Sequence, residues 1–423
     1  MKITFNYYAK RSIPPFLDNY QPWDRASFQP AESSKLRKIT VPSLGCYGRW
    51  GNALLQYMFF QTFALSYGLE IETPLWVGKY LFGLRDLEIS EEPTVVVLDG
   101  MTRIIREGYW QMLCHDSIAE RAAYLFEEGR YPIMLREGDT ECPPEHLPFD
   151  TAQMEGLYFA HTSQMAPFRS TLLKSLTPIP EIDEKLNEWL STIRSLGRTV
   201  VGLHIRRGDY IGSLTRQGFE LLIPLNRYKK WLRELWKSLE KPVLFISSDE
   251  DLTDEFAEFS PVTAQFLGAT LPSKYDALPL SDGQKQLDAK FFPDWYMLTM
   301  SDVLIISNST FSFSAALLNR SAQRFYRPTF EGDFVPFDPW NSEPLLFIKT
   351  GQCLLVEVLR RAVLESKATE WSRFPKSLTS GAMGYWYLVK LRSRYAFHKG
   401  GWREFLRTAI DPKLYLASRY RIT

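Results

Sequence analysis

The second half of this 423-residue chain predicts an α/β protein built on a doubly wound parallel sheet. Continuous apolar runs of strand length recur there, as buried parallel strands require. Helical stripes alternate with them, and polar loops carrying Arg, Asp, Ser and Asn follow the strands.

The elements are read in chain order. Residues 1–37 hold Pro14, Pro15, Pro22 and Pro30 among mixed polar residues and read as an irregular lead-in. Residues 39–41 form a short strand that runs into the turn Gly45-Cys-Tyr-Gly-Arg-Trp-Gly51. Apolar positions 54, 55, 58, 59, 62, 63 and 65 put a helix over 52–67, and Gly68 stands where a helix closes. Strands are expected at 69–72 and 94–98, and an amphipathic helix over 181–196 carries Ile182, Leu186, Trp189 and Ile193 on one face. Strands at 199–205, 242–247 and 303–306 then alternate with helices at 228–239, 295–300 and 311–319. The resulting boundaries are a lead-in at 1–37, an amino-terminal domain at 38–197, a Rossmann-like domain at 198–348 and a helical extension at 349–423.

Composition narrows the function classes. Net charge is +1, so no overall field marks a nucleic-acid binder. Four scattered cysteines without a C-x-x-C pair argue against a disulfide scaffold and against a zinc cluster. The first twenty residues lack the apolar centre of a signal peptide, and no apolar run reaches the ~20 residues that span a bilayer. A cytoplasmic protein is expected. Residues 367–423 carry 12 Lys/Arg against 3 Asp/Glu, interleaved with aromatics. That stretch suits peripheral contact with an anionic membrane face, or helices packed back with a solvated basic side.

The chemistry concentrates in His204-Ile-Arg206-Arg207-Gly-Asp209-Tyr210, at the carboxyl end of a buried strand. Two guanidinium forks there suit a diphosphate. A sugar transferred from a nucleotide diphosphate leaves charge on the departing phosphate, and fixed cationic donors can stabilise it in place of a metal. The alternative use of the pair is in salt bridges at the sheet edge. The next two strands also end in polar loops, Ser247-Ser-Asp249-Glu250 and Ser307-Asn-Ser309-Thr310-Phe-Ser312. Ser309 or Thr310 would cap the following helix, whose first-turn N–H groups form an anion site. Asp249-Glu250-Asp251 formally spells the metal-holding D-x-D. A solvated loop with one Asp on a ribose is the preferred reading. No dinucleotide or P-loop glycine motif is present.

At this point the residues resemble a known family. Val201-Gly-Leu-His-Ile-Arg-Arg-Gly-Asp-Tyr210 is similar to the H-x-R-R-x-D-Y string of the bacterial α-1,2-fucosyltransferases. Gly48-Arg-Trp-Gly-Asn52 with Gln56-Tyr57, Glu107-Gly-Tyr-Trp-Gln111, Arg227-Tyr-Lys-Lys230, Phe245–Asp249 and Asp294–Asp302 resemble its other segments, in order. The sequence departs from the family at Ala53 and at Phe313-Ser-Ala-Ala316. The resemblance implies a GT-B-like architecture, with two Rossmann-type domains facing across a cleft, a GDP-fucose donor, no metal and no further cofactor. A glycan acceptor, possible partners of lipid-linked type included, would complete the reaction.

Carried over residue by residue, the resemblance makes Arg206 the phosphate-binding arginine, with Arg207 and Tyr210 beside it. His204 stands beside the guanine and Asp294 pairs with the base. Asp249, Ser309 and Thr310 belong to the donor side. Asn52 is either a β-phosphate contact or a helix N-cap. Asp209 is the expected base for the acceptor hydroxyl, or else orients Arg207. Glu107 is the weaker candidate, and Trp110 either stacks on an acceptor sugar or lies in the core. Other readings of the same residues are a different nucleotide-sugar donor and a non-catalytic GDP- or glycan-binding protein.

Overall fold

In a computed structural model, the residues described are 37–90, 93, 95–98, 131–134, 151–156, 158–159, 161–208, 210, 221–329 and 332–346. Asp209, Glu107, Trp110 and the basic extension at 349–423 lie outside them.

Among the described residues the chain runs through β1 (Lys38–Thr40), α1 (Trp50–Tyr67), β2 (Glu70–Thr73), α2 (Val77–Phe82), β3 (Leu87–Glu88), β4 (Val95–Leu98), β5 (Tyr131–Met134) and β6 (Thr151–Glu155). After two 3₁₀ turns come α3 (Arg169–Ser175), α4 (Pro180–Leu196), β7 (Thr199–Ile205), α5 (Leu225–Trp236) and β8 (Pro242–Ser248). The last elements are α6 (Phe292–Thr299), β9 (Val303–Ile305), α7 (Thr310–Leu318), β10 (Arg324–Pro328) and β11 (Phe334–Pro336).

These strands make two sheets. The first has the order β3-β2-β1-β6-β4-β5 and the second β11-β10-β9-β7-β8. Every pairing in the first is parallel, and in the second only the β10–β11 edge is antiparallel. Parallel neighbours need crossovers, which explains why helices separate the strands. The chain is therefore α/β, with two Rossmann-like sheets, as the sequence leads one to expect.

Local rules account for most boundaries. Gly68 closes α1 at φ 66°, a left-handed cap that a Cβ would disfavour, and its N–H bonds back to Ala64. Pro180 opens α4, where a missing N–H costs nothing, and Glu181 and Asp183 complement the dipole of its first turn. Asp302 then fastens that helix to the second sheet. It pairs with Arg194 of α4 and accepts a 2.7 Å bond from the Val200 N–H at the start of β7.

One hydrophobic core serves both sheets. Ile39 of β1, Trp50 and Leu54 of α1, Phe245 of β8, Trp295 of α6 and Phe313 of α7 are all fully buried and belong to one contact cluster. Trp50 sits at its centre, with ring centroids 5.0 Å from Phe291, 5.2 Å from Trp295 and 5.7 Å from Phe82. Aromatic pairs of this kind contribute about 0.5–1.5 kcal/mol each beyond their buried area. A second core, around Leu203, Leu232 and Phe256, fills the opposite face of the second sheet.

Polar contacts complete the seam between the sheets. Gln284 donates to the Leu44 carbonyl at 2.7 Å, Lys285 N–H to the Gly45 carbonyl at 3.1 Å, and Tyr80 OH to the Pro279 carbonyl at 2.6 Å. Gly51 is required at this seam, because a Cβ there would overlap the backbone of Thr310 and Phe311.

Candidate active site

The candidate site lies where β7, β8 and β9 end. Register places His204 opposite Ser247 and Ile205 opposite Ser248, while Leu203 faces Ile305 of β9. The residues that follow these strands therefore meet at one edge of the sheet, where open α/β sheets bind ligands.

Arg206 and Arg207 leave β7 in different directions. Side chains alternate in an extended chain. Arg206 keeps about a quarter of its side chain exposed, and its Nε lies 3.2 Å from Asp249 Oδ2. Arg207 is only 6% exposed, and its Nε donates to Glu250 Oε2 at 3.2 Å. The expected pair of forks is thus divided: Arg206 faces the open edge, while Arg207 is turned inward against a carboxylate. Arg207 also lies near the buried Tyr228 of α5, whose phenol is raised by burial against the opposing pull of that charge.

Asp249 has more partners than a solvated loop residue would. Its Oδ1 accepts from Arg207 N–H at 2.8 Å and its Oδ2 from Gly208 N–H at 3.0 Å, in addition to the Arg206 guanidinium. Gly208 leaves room for this, since a Cβ there would sit 3.0 Å from Asp249 Oδ2. The carboxylate therefore fixes both the backbone after β7 and the plane of Arg206. Asp251 accepts from Thr253 N–H and Oγ1, which makes an ordinary loop turn. Among the described residues, no three of His, Cys, Asp and Glu gather as metal ligands would.

His204 is buried, with its Nδ1 2.8 Å from Ser307 Oγ and its ring 5.1 Å from that of Phe311. Burial, reinforced by the Arg206 charge, pushes its pKa down to about 3, so it is neutral at any physiological pH. Asp294, in the first turn of α6, is pushed up to about 6 by burial, against the lowering effect of its hydrogen bond with Ser247. Tyr210 donates its hydroxyl to the Asn308 carbonyl at 2.8 Å, and the Arg206 guanidinium lies 5.9 Å from its ring centroid.

The loop after β9 closes the site from the third side. Ser309 caps α7, accepting from Phe311 N–H at 3.4 Å, as its sequence position suggests. The first-turn N–H groups of a helix have no intrahelical partners and present partial positive charge. Thr310 donates 2.7 Å to Asn52 Oδ1, across the seam from the first sheet. The N-cap reading of Asn52 does not hold. Arg49 is the N-cap of α1, and Asn52, three residues into the helix, donates 3.1 Å to the Tyr47 carbonyl. Gly48, at φ 86°, makes room for that amide.

His204, Arg206, Tyr210, Asp249, Asp294, Ser309, Thr310 and Asn52 are thus gathered by the ends of β7 to β9 and the start of α1 and α6. Arg207 lies behind them. Asp209, Glu107 and Trp110 lie outside the described residues. Sequence reading did not single out Asn308 or Arg327, which are hydrogen-bonded to each other behind the loop. Asn308 stands within Ser307–Ser312 but between more conspicuous hydroxyls, and Arg327 stands in Arg-Phe-Tyr-Arg-Pro328, which carries no motif.

No family model matches this chain, and no curated protein sequence matches it. Solved structures do. POFUT1 in complex with GDP-fucose aligns at 12% identity over 71% of this chain and 99% of its own, with a TM-score of 0.41. Fucosyltransferase NodZ from Bradyrhizobium aligns at 15% identity over 72% of this chain and 100% of its own, also at 0.41. NodZ α-1,6-fucosyltransferase soaked with GDP-fucose aligns at 14% identity over 72% and 99%, at 0.39. The two-sheet architecture rests on the strand pairings above.

Proposed function

We propose that this chain is a metal-independent glycosyltransferase that moves L-fucose from GDP-β-L-fucose to a glycan hydroxyl, with the galactose 2-OH as the first acceptor to try. The observation that carries the transferase reading is Arg206, held by Asp249 at the end of β7, on the same sheet edge as the amino terminus of α7, whose Thr310 bonds Asn52. Fixed cationic and N–H donors around one point are what a departing diphosphate needs. The choice of fucose, guanine and an α-1,2 linkage comes from the resemblance of the His204–Tyr210 string.

In the proposed single displacement, the bond from the fucose anomeric carbon to the β-phosphate oxygen breaks, and its electron pair leaves with GDP. An acceptor hydroxyl oxygen bonds to the opposite face, so GDP-β-L-fucose gives an α-L-fucoside. Arg206, the first turn of α7 and Asn52 take up the charge growing on GDP. Asp294 accepts from the guanine N–H groups, a role that suits its ionised form. The acceptor proton goes to a carboxylate within reach. Asp209 is the first choice on sequence and Glu107 the second, with Trp110 as a stacking face for the acceptor sugar.

The test is GDP release from GDP-fucose, with EDTA present, against a panel of β-galactosides, for the full chain and for Arg206→Ala. Turnover that survives chelation and collapses in the variant supports the reading. Turnover lost on chelation removes the metal-free mechanism. GDP binding without turnover on any acceptor favours a binding protein, and absence of GDP binding removes the donor.

A further inference from the structure

Behind the candidate phosphate loop lies a buried cation that the reaction scheme does not use. Arg327 of β10 is 5% exposed, and among the described residues it forms no ion pair. Its Nη1 donates 2.8 Å to the Glu343 carbonyl and its Nη2 3.3 Å to Asn308 Oδ1. Its Nε is buried without a partner. The guanidinium lies 5.6 Å from the ring centroid of Phe313 and 5.3 Å from that of Phe337. Burial lowers its pKa to about 10, which still leaves it charged at neutral pH.

Burying a cation against two carbonyl-type oxygens and two rings is costly, with the pull of the Glu343 carboxylate as a partial offset. Asn308, its partner, is the hub of the loop. Asn308 Oδ1 also accepts from Leu346 N–H at 2.8 Å, and its Nδ2 donates to the Leu346 carbonyl at 2.8 Å. Its own carbonyl accepts from Tyr210 OH. On one side Ser307 holds His204, and on the other Ser309 and Thr310 begin α7 and reach Asn52. Asn308 therefore anchors the middle of the loop, between the residues that make those contacts.

Given the donor-binding reading above, on which this inference rests, we propose that Arg327 is a positioning residue. Through Asn308 it holds the Ser307–Thr310 loop and Tyr210 in register for the donor diphosphate, and it adds a fixed positive charge beneath them. A guanidinium is needed because one planar fork reaches two acceptors while lying against the stacked Phe313–Phe337 pair.

The full chain would be compared with Arg327→Lys and Arg327→Met by hydrogen exchange at the amides of residues 307–312, by calorimetric GDP titration, and by kcat and KM for GDP-fucose. Lys keeps the charge and the aliphatic stem, so it gives a folded variant if Met does not. The expected result is faster exchange confined to 307–312 in both variants. GDP dissociation constants should rise about tenfold in Arg327→Met and less in Arg327→Lys, the scale of one charge-assisted bond. KM for the donor should rise in step while kcat changes less. Wild-type exchange and wild-type GDP affinity in either folded variant would overturn the proposal. So would faster exchange spread over the whole second sheet, which marks a purely structural arginine. If the wild-type chain binds no GDP, the donor reading fails by itself, and the exchange pattern still decides whether Arg327 orders the loop.

Discussion

Thr310 Oγ1 donates a 2.7 Å hydrogen bond to Asn52 Oδ1 across 258 positions of sequence, joining the first turns of α7 and α1. Two helices from two sheets thus present their amino termini to one point. Thr310→Val should cost about 1 kcal/mol of stability, the usual net worth of such a bond. A double-mutant cycle with Asn52→Ala, read from urea midpoints, should return a coupling of similar size. Additive effects would mean that the bond contributes nothing in solution.

The Arg206 plane depends on Asp249. Arg206→Ala should lower kcat about 100-fold or more, the scale of losing one transition-state donor. Asp249→Asn keeps the shape but offers one oxygen for three donors. It should cost about tenfold in kcat and about 1 kcal/mol of stability, since charge-assisted bonds are roughly twice as strong as neutral ones and one backbone N–H loses its acceptor. Steady-state rates at saturating donor, with circular dichroism on the same samples, check both.

Asp294 gives a pH signature. Its folded pKa of about 6 lies above the ordinary 3.8, so the stability it contributes is full below about 3.8 and lost as pH rises through about 6. Asp294→Asn should therefore stabilise the protein by up to about 3 kcal/mol near pH 8, with the gain fading toward pH 4. GDP binding should run the other way. The ionised carboxylate is the better acceptor, so wild-type affinity should rise from pH 5 to pH 7, and the Asn variant should be flat. Melting curves and calorimetry across that range separate the two effects.

His204 adds an opposite slope. With a folded pKa near 3, below the ordinary 6.5, its contribution is present above about 6.5 and is lost as pH falls toward 3. No histidine step from His204 is expected in a pH–rate profile between 5 and 8. A His204→Asn chain that keeps the amide near Ser307 should lose part of the acid sensitivity seen in thermal melts.

Glycines at the site differ in what they tolerate. Gly51→Ala should cost about 1–3 kcal/mol or more, because its Cβ meets backbone of the opposite sheet rather than a side chain that can move. Gly68→Ala meets no atom within 4 Å and should cost only about 1 kcal/mol for its left-handed φ. Denaturant unfolding of the two variants side by side tests the ranking.

Much of the second sheet was legible because its strands are buried on both faces and read as unbroken apolar runs. The predicted 199–205, 242–247 and 303–306 became Thr199–Ile205, Pro242–Ser248 and Val303–Ile305. The β6 strand, Thr151–Glu155, was not legible, since a buried Gln153 interrupts its apolar pattern. Nor was β10, which carries Arg327 into the interior, or the antiparallel β11 beside it. At the site, the string 204–210 suggested a phosphate clamp, but two adjacent arginines look equivalent on paper. Strand alternation separates them, and only Glu250 shows which one turns inward. Asn52 was placed by its motif, and of its two readings the cap fails, because the helix starts at Trp50, two residues earlier than its apolar stripe suggests.

The aromatic nest around Trp50 has a practical consequence for anyone wishing to recombine this chain with another. Recombining its amino-terminal half with a relative's carboxyl-terminal half would sever Trp50 and Phe82 from Phe291, Phe292 and Trp295. Chimeras joined near residue 197 should therefore precipitate unless that set of rings travels together. Grafts confined to surface loops of the first sheet, which leave the rings in place, are the exchanges the molecule can accept.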